Sequence, residues 1–291
     1  MVRAIGGTAT LVGSLLVSPL AAVEITPDAD LCAALERLEP GQELVLQPGD
    51  YRAGCVVRRG GLPQAPIVVR AADPERRPRL RTERGVGHLI QIRAGDIVIQ
   101  GLDFGPLVDA DGVRIIFGNR VTVEDCRFFQ LGGIAIVANH TSVDGLTVRR
   151  NVIADSGATG MYFGCHDGVH CSMTRLLVER NYINGVTAPP GEIGYGMQVK
   201  LNSTSVIRDN VIVNTKGPGI MVYGSRDLVG LNVIERNFVS GSSGSSGIVI
   251  GGGPVLVRNN VSTANSDAGI GLENYQSRGL LRGIVVAHNT I

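Results

Sequence analysis

The sequence predicts an all-β chain wound into a right-handed parallel β-helix, and three observations carry that prediction. A β-rich run ends at the same kind of position again and again: at Leu102, Cys126, Asn151, Asn181, Asn210, Asn237, Asn260 and Asn289, at intervals of 24, 25, 30, 29, 27, 23 and 29 residues. A second column, a glycine followed by alternating apolar and variable residues, recurs as Gly133-Ile134-Ala135-Ile136-Val137, Gly160-Met161-Tyr162-Phe163-Gly164 and Gly196-Met197-Gln198-Val199-Lys200. It continues as Gly219-Ile220-Met221-Val222-Tyr223, Gly247-Ile248-Val249-Ile250-Gly251 and Gly269-Ile270-Gly271-Leu272-Glu273. The third observation is the lack of any helical period between the columns, so crossover helices do not join the strands. Self-similarity at this period marks a repeat architecture. Each repeat is then one coil of three short strands, stacked on the coil before it.

Length and composition agree with a solenoid. A chain of 291 residues suits one large domain or two small ones, and a continuous repeat favours one. Forty glycines, six phenylalanines and no tryptophan fit many tight turns around a core of small β-branched stacks. The net charge of +1 offers no nucleic-acid footprint. Residues 1–22 read as a secretory signal: Arg3 gives a positive start, Leu11 to Leu20 an apolar core, and Ala21-Ala22 a small-residue end. Leu20 at the third position before the cut leaves the cleavage site open. No later run is long and apolar enough to span a membrane. The reading is therefore a secreted or periplasmic monomer. Residues 23–96 form an N-terminal cap with the first coils, and residues 97–291 form the repeats. The last coil ends without a cap, so a further segment or another surface is expected to cover it.

Taken in order, Asp28 to Leu38 has helical apolar spacing and an acidic start, and Pro40-Gly41 stops it. A short helix there would cover the open strand edges of the first coil. Strands follow at Glu43-Leu44-Val45-Leu46, Cys55-Val56-Val57, Ile67-Val68-Val69 and His88-Leu89-Ile90-Gln91-Ile92. The basic, proline-punctuated stretch from Arg70 to Arg84 reads as a solvated connection, and Gly241 to Gly247 (GSSGSSG) as a loop. The asparagines of the first column are foremost structural. Stacked at one turn, Asn151, Asn181, Asn210, Asn237 and Asn260 would hydrogen-bond along the axis and satisfy turn backbone groups. Five cysteines suit an oxidising compartment. Cys165 and Cys171 bracket one loop and are expected to pair. Cys32 and Cys55 are expected to pair in the first section, and Cys126 to pack in the core. A zinc site at Cys165-His166 and His170-Cys171 is the alternative, with a spacing that matches no common zinc pattern.

The first third of the chain carries a resemblance. Gln47-Pro48-Gly49-Asp50-Tyr51, then Gly60-Gly61-Leu62-Pro63-Gln64-Ala65-Pro66-Ile67-Val68-Val69-Arg70-Ala71, then Ile97-Val98-Ile99-Gln100-Gly101-Leu102-Asp103-Phe104 resemble the first coils of the chondroitinase-B and alginate-lyase group of polysaccharide lyases. Those are secreted, pectin-lyase-like parallel β-helices. Similar coils occur in β-helix proteins of unassigned activity, so the resemblance implies the fold more strongly than the chemistry.

Strand alternation decides which side chains leave the core. In the glycine column the outward pairs are Ala135/Val137, Tyr162/Gly164, Gln198/Lys200, Met221/Tyr223, Val249/Gly251 and Gly271/Glu273. Lys200 and Tyr223 would be neighbours on one outer face, with Tyr162 and Gln198 beside them, His166 and Arg226 in the following loops, and room for a ligand at Gly164 and Gly251. Uronate elimination needs a base for the C5 proton, an acid for the C4 oxygen, and donors for the carboxylate. Val199-Lys200-Leu201-Asn202-Ser203 is similar to the catalytic-lysine strand of the lyase group, which carries an arginine on the next coil. This sequence has Tyr223 there and Arg226 three residues later.

The reading is a lyase acting on an acidic polysaccharide. Lys200, Tyr223 and Arg226 carry the catalysis, and Tyr162, His166, Gln198 and Glu273 bind substrate. A glycoside hydrolase or uronate epimerase on the same groove, or a non-catalytic carbohydrate-binding β-helix, are the alternatives. Glu192 and Glu273 are a possible carboxylate pair for hydrolysis, but lie in different loops or distant coils. No metal or other cofactor is expected. Asp109-Ala110-Asp111-Gly112 resembles part of a calcium loop but lacks the later glutamate, and reads as a plain turn.

Overall fold

The computed structural model describes residues 22–82, 87–165, 170–225, 230–274 and 280–291. Among them the chain winds through three parallel sheets. One of twelve strands runs from Val23–Ile25 to Ile284–Ala287; one of nine runs from Asp50–Arg52 to Val261–Thr263; and one of nine runs from Cys55–Val57 to Ile270–Leu272. Successive coils place equivalent residues directly over one another. In the first sheet Ile99, Val123, Val148, Val178, Ile207, Ile234 and Val257 form one fully buried inward stack. In the second, Phe104 lies on Phe128 with ring centroids 4.6 Å apart and planes 9° from parallel. Ile153, Ile183, Ile212 and Val239 continue that column. Period-two alternation makes these columns, and stacking small branched side chains at coil spacing fills the narrow core.

The asparagine ladder stands where the sequence puts it. Asn151 Nδ2 donates to Val123 O at 2.9 Å and to Asn181 Oδ1 at 3.0 Å, and Asn181 Oδ1 also accepts from the Asn151 amide. The pattern repeats through Asn210, Asn237, Asn260 and Asn289. Just before each asparagine the backbone turns left-handed, at Arg150 (φ 54), Arg180 (φ 55), Asp209 (φ 57), Arg236 (φ 54) and Asn259 (φ 54). A non-glycine residue costs roughly 1 kcal/mol in that region, and the buried amide bonds of the ladder offset it. The long side chains leaving these turns pair across coils. Arg149, Arg208 and Arg258 each reach a nearly buried glutamate one coil back: Glu124, Glu179 and Glu235.

At the N-terminal end a helix spans Leu31–Arg37. Asp30 caps it by accepting from Ala33 N, and Leu31 and Leu35 bury themselves on the first coil. A Cys32–Cys55 disulfide ties the helix to the strand Cys55–Val57. Cys165 and Cys171 are also bridged, which removes the zinc alternative there, and Cys126 is a buried free thiol.

Three expectations change. The stretch from Arg70 is not merely a solvated connection. Arg70 belongs to the strand Ile67–Ala71 and pairs with Glu43, and Arg79–Arg81 is a strand of the second sheet with Leu80 fully buried. Basic side chains on the outward positions hid its alternation. Gly241 and Ser242 extend the strand Phe238–Ser242, where Ser242 is buried against Thr215, so the loop is shorter than it reads. Asp111 opens the strand Asp111–Phe117 rather than a turn.

Candidate active site

The third sheet presents the outer face on which the candidate residues gather. Its register pairs Val137 with Tyr162, Tyr162 with Gln198, Gln198 with Met221, and Met221 with Val249. The glycine column holds from Gly160 onward. One coil earlier Ala135 precedes the paired strand, so the motif at Gly133 sits two residues out of step. Parity survives, and the outward pair there is Val137 and Asn139 rather than Ala135 and Val137. The glycines are needed because a Cβ at Gly160 or Gly196 would lie 2.5 Å from the carbonyl oxygen of the next glycine in the column.

Lys200 and Tyr223 each follow directly on a three-residue strand, Met197–Val199 and Ile220–Val222. The ladder still fixes their backbones: Lys200 N donates to Phe163 O at 2.8 Å, and Tyr223 N to Val199 O at 2.9 Å. The Lys200 ammonium stands 4.3 Å from the Tyr223 ring centroid and 5.4 Å from that of Tyr162. Gln198 Nε2 donates to Tyr223 Oη at 3.3 Å. Four side chains from three successive coils thus form one contact group, as the alternation predicts.

Their environment differs from the expected solvated groove. Exposure is 7% for Lys200, 4% for Gln198, 3% for Tyr223 and 9% for Tyr162. A second apolar cluster of Tyr195, Leu201, Met221, Tyr223 and Val249 lies on the outside of the sheet. Tyr195 comes from the long connection between the strands Tyr182–Val186 and Met197–Val199, so loops fold back over the face. The gaps at Gly164 and Gly251 are filled from within. A Cβ on Gly164 (φ +85) would lie 3.0 Å from Lys200 Cβ, and one on Gly251 would lie 3.2 Å from Tyr223 Cα. These glycines make room for Lys200 and Tyr223, not for a ligand.

Of the other expected site residues, His166 and Arg226 lie outside the described residues. Glu273 follows the strand Ile270–Leu272 and is exposed. It lines a cavity of about 410 Å³ together with Glu192, Lys216, Tyr195 and Tyr223. The two glutamates therefore line one cavity, whose wall between them is built by residues 216–218 and 243–245 from the intervening coils.

Sequence reasoning missed a polar group on the same face, nearer the N-terminal end. Arg114 Nε donates to Asp111 Oδ2 at 2.8 Å, and its Nη1 lies 2.7 Å from His140 Nε2. Asp111 Oδ1 also accepts from Ile134 N at 2.8 Å. One coil back, Arg93 Nε donates to Gln91 Oε1 at 2.7 Å. Burial first, and the Arg114 charge second, hold the His88 and His140 imidazoles below the usual histidine range. Extending the glycine column back to Gly112 would have put Arg114 in the outward row.

The right-handed β-helix family model matches residues 108–291. No curated protein matches the chain. Among solved structures, the chain is similar to the alginate lyase from Paenibacillus sp. str. FPU-7, with a TM-score of 0.56 and 15% identity over 93% of this chain and 99% of that one. It is also similar to the pectate lyase Pel9A, with a TM-score of 0.48 and 14% identity over 94% of this chain and 79% of that one. A third is the A-module of the Azotobacter vinelandii mannuronan C-5 epimerase AlgE4, with a TM-score of 0.41 and 12% identity over 86% of each chain. At such identities the likeness speaks to the fold alone.

Proposed function

We propose that this chain, which belongs to the right-handed β-helix family, is an exported enzyme that cleaves an acidic, uronate-containing polysaccharide by β-elimination. The observation that carries the proposal is Lys200, buried on the outer face of the sheet between the rings of Tyr162 and Tyr223. A buried lysine is costly unless something holds it. A β-helix needs no such group to fold, since its core lies on the other side of the sheet.

In this reading two proton transfers are divided between Tyr223 and Lys200. Gln198 donates to the Tyr223 oxygen, the polarity that a proton-abstracting phenolate needs. Tyr223 takes the C5 proton. The C5–H electron pair forms the C4–C5 double bond, the C4–O bond breaks, and its electrons leave on the glycosidic oxygen. The Lys200 ammonium protonates that oxygen. A cation or amide donor must also meet the uronate carboxylate as enolate charge develops. The sequence offers Arg226 for this, outside the described residues. The two disulfides support export to an oxidising compartment.

The test is ultraviolet absorbance of unsaturated uronate, screened over alginate, pectate, chondroitin and heparin-type chains, with Lys200→Ala and Tyr223→Phe beside the native chain. Each substitution is expected to lower turnover by about 10² or more. Full activity in Lys200→Ala would refute the assignment. New reducing ends without that absorbance would favour hydrolysis by Glu192 and Glu273, which share one cavity.

A further inference from the structure

We infer that the cavity beside Tyr223 is a second sugar subsite that takes an uncharged monosaccharide unit, so that the polymer is a mixed chain of uronate and neutral sugar rather than a homopolyuronate. The inference rests on the reading of Lys200 and Tyr223 as the point of cleavage. Tyr223 is the wall shared between that point and the cavity of about 410 Å³.

The cavity has the two surfaces a sugar ring requires. Its floor is apolar: Met221 and Val249, paired on successive coils, are buried there with Tyr195. The C–H face of a pyranose packs on such a floor, and its hydroxyls then point to the rim. The rim carries Glu192 and Glu273, both exposed. Lys216 also lines the cavity, but its ammonium donates to the carbonyls of Ala188 at 3.2 Å and Pro189 at 2.8 Å. Among the described lining residues, two carboxylates stand against one ammonium, whose hydrogen bonds to neutral carbonyls hold it in place without removing its charge, so the rim stays net negative. Carboxylates accept hydrogen bonds from hydroxyls and repel a uronate carboxylate.

The opposite side of Lys200 contrasts with this. There the same sheet face carries Arg93, hydrogen-bonded to the neutral Gln91, and Arg114, ion-paired with Asp111, in the coils of His88–Arg93 and Asp111–Phe117, so Arg93 is the cation that no carboxylate among the described residues offsets. A homopolyuronate bears a carboxylate on every unit and must bring one to the Glu192–Glu273 rim. A mixed chain seats its uronate at Lys200 and an uncharged unit in the cavity.

The experiment is calorimetric titration of the native chain and of Glu192→Gln/Glu273→Gln with two probes. One is a hexasaccharide of glucuronate alone; the other alternates glucuronate with N-acetylglucosamine. Both glutamates are exposed, so the double variant is expected to fold, and circular dichroism checks it. The native chain should bind the alternating probe about fivefold tighter or more, the size of one exposed charge contact. The double variant should bring the two affinities together, and added salt should shrink the difference in the native chain. Equal affinities in the native chain, or a ratio that the double substitution leaves unmoved, would overturn the subsite while leaving the cleavage reading intact. If neither probe binds and no polymer in the screen is cleaved, the cleavage reading falls and the subsite with it.

Discussion

Replacing Asn181 by alanine tests the ladder that holds the coils in register. Asn181 is 2% exposed, and its side chain makes four hydrogen bonds. Its Oδ1 accepts from both the amide and the Nδ2 of Asn151, each at 3.0 Å; its Nδ2 donates to Val148 O at 3.0 Å and Asn210 Oδ1 at 2.9 Å. Asn210 Oδ1 keeps the backbone amide of residue 181 as a donor. The substitution therefore strands chiefly the Asn151 amide and one Asn151 Nδ2 hydrogen, both in a dry turn. At about 1–3 kcal/mol for each buried orphan, the loss should be about 3–5 kcal/mol. Asn289→Ala deletes the same set of bonds to Asn260, but Asn289 is only half-buried and water can replace them. That variant should lose about 1 kcal/mol. Urea unfolding followed by far-ultraviolet circular dichroism, with equal slopes as the check on comparability, gives both numbers. An Asn181→Ala loss no larger than that of Asn289→Ala would refute the argument, because it would mean that burial of the ladder contributes nothing.

Three further outcomes are expected. Gly164→Ala should lower turnover at least ~10-fold by displacing Lys200, whose Cβ lies 3.0 Å from the added methyl. Gly145→Ala, at φ +74 but only 3.5 Å from Arg120 Cγ, should lose a similar ~1 kcal/mol of stability and keep its activity; equal activity in the two variants would show that Lys200 placement is irrelevant. Arg175, hydrogen-bonded to Asp144, pulls that carboxyl from its ordinary 3.8 down to about 2. A depressed carboxyl stabilises fully above its unfolded pKa and loses that contribution as pH falls through the folded one. The stability gap between native chain and Asp144→Asn should therefore hold from pH 7 to about 4 and close near pH 2; it stays within ~1 kcal/mol because Arg175 is 70% exposed. Cys32→Ser/Cys55→Ser should cost about 3 kcal/mol, from a loop of 23 residues that the bridge closes. Thermal unfolding checks it, and an unshifted midpoint would count against the helix as a fixed cap.

The fold was legible because a stacked coil writes its geometry into the chain at a fixed period. Asn151 through Asn289 lie at intervals that vary by a few residues, yet their amides meet, since the variation is absorbed in loops and in a register shift within the strand Met173–Glu179, outside the residues that pair next to the ladder. The same periodicity made Lys200, Tyr223, Gln198 and Tyr162 neighbours on paper. It failed at Gly133, where a glycine two residues early imitates the column, and at Arg79–Arg81, where basic side chains on both outward positions disguise a strand as a solvated connection.

Exposure was not legible, and the reason is physical. Alternation fixes which face of a sheet a side chain leaves from, but says nothing about what covers that face. Cover comes from connections such as the one carrying Glu192 and Tyr195, which have no period and whose partners lie up to three coils away. Gly164 shows how the error arose. A glycine on an outward position suggests empty space, yet here the space is occupied by the stem of Lys200 from the next coil. The strands therefore supply a rigid row of positions, and the loops over them decide which become chemistry. In this chain the covered positions hold a cation between two phenols, and the loop-built cavity beside them holds two carboxylates. On the proposed reading, such opposed surroundings, from the coil of Lys200 to that of Glu273, would let one face handle two unlike sugar units.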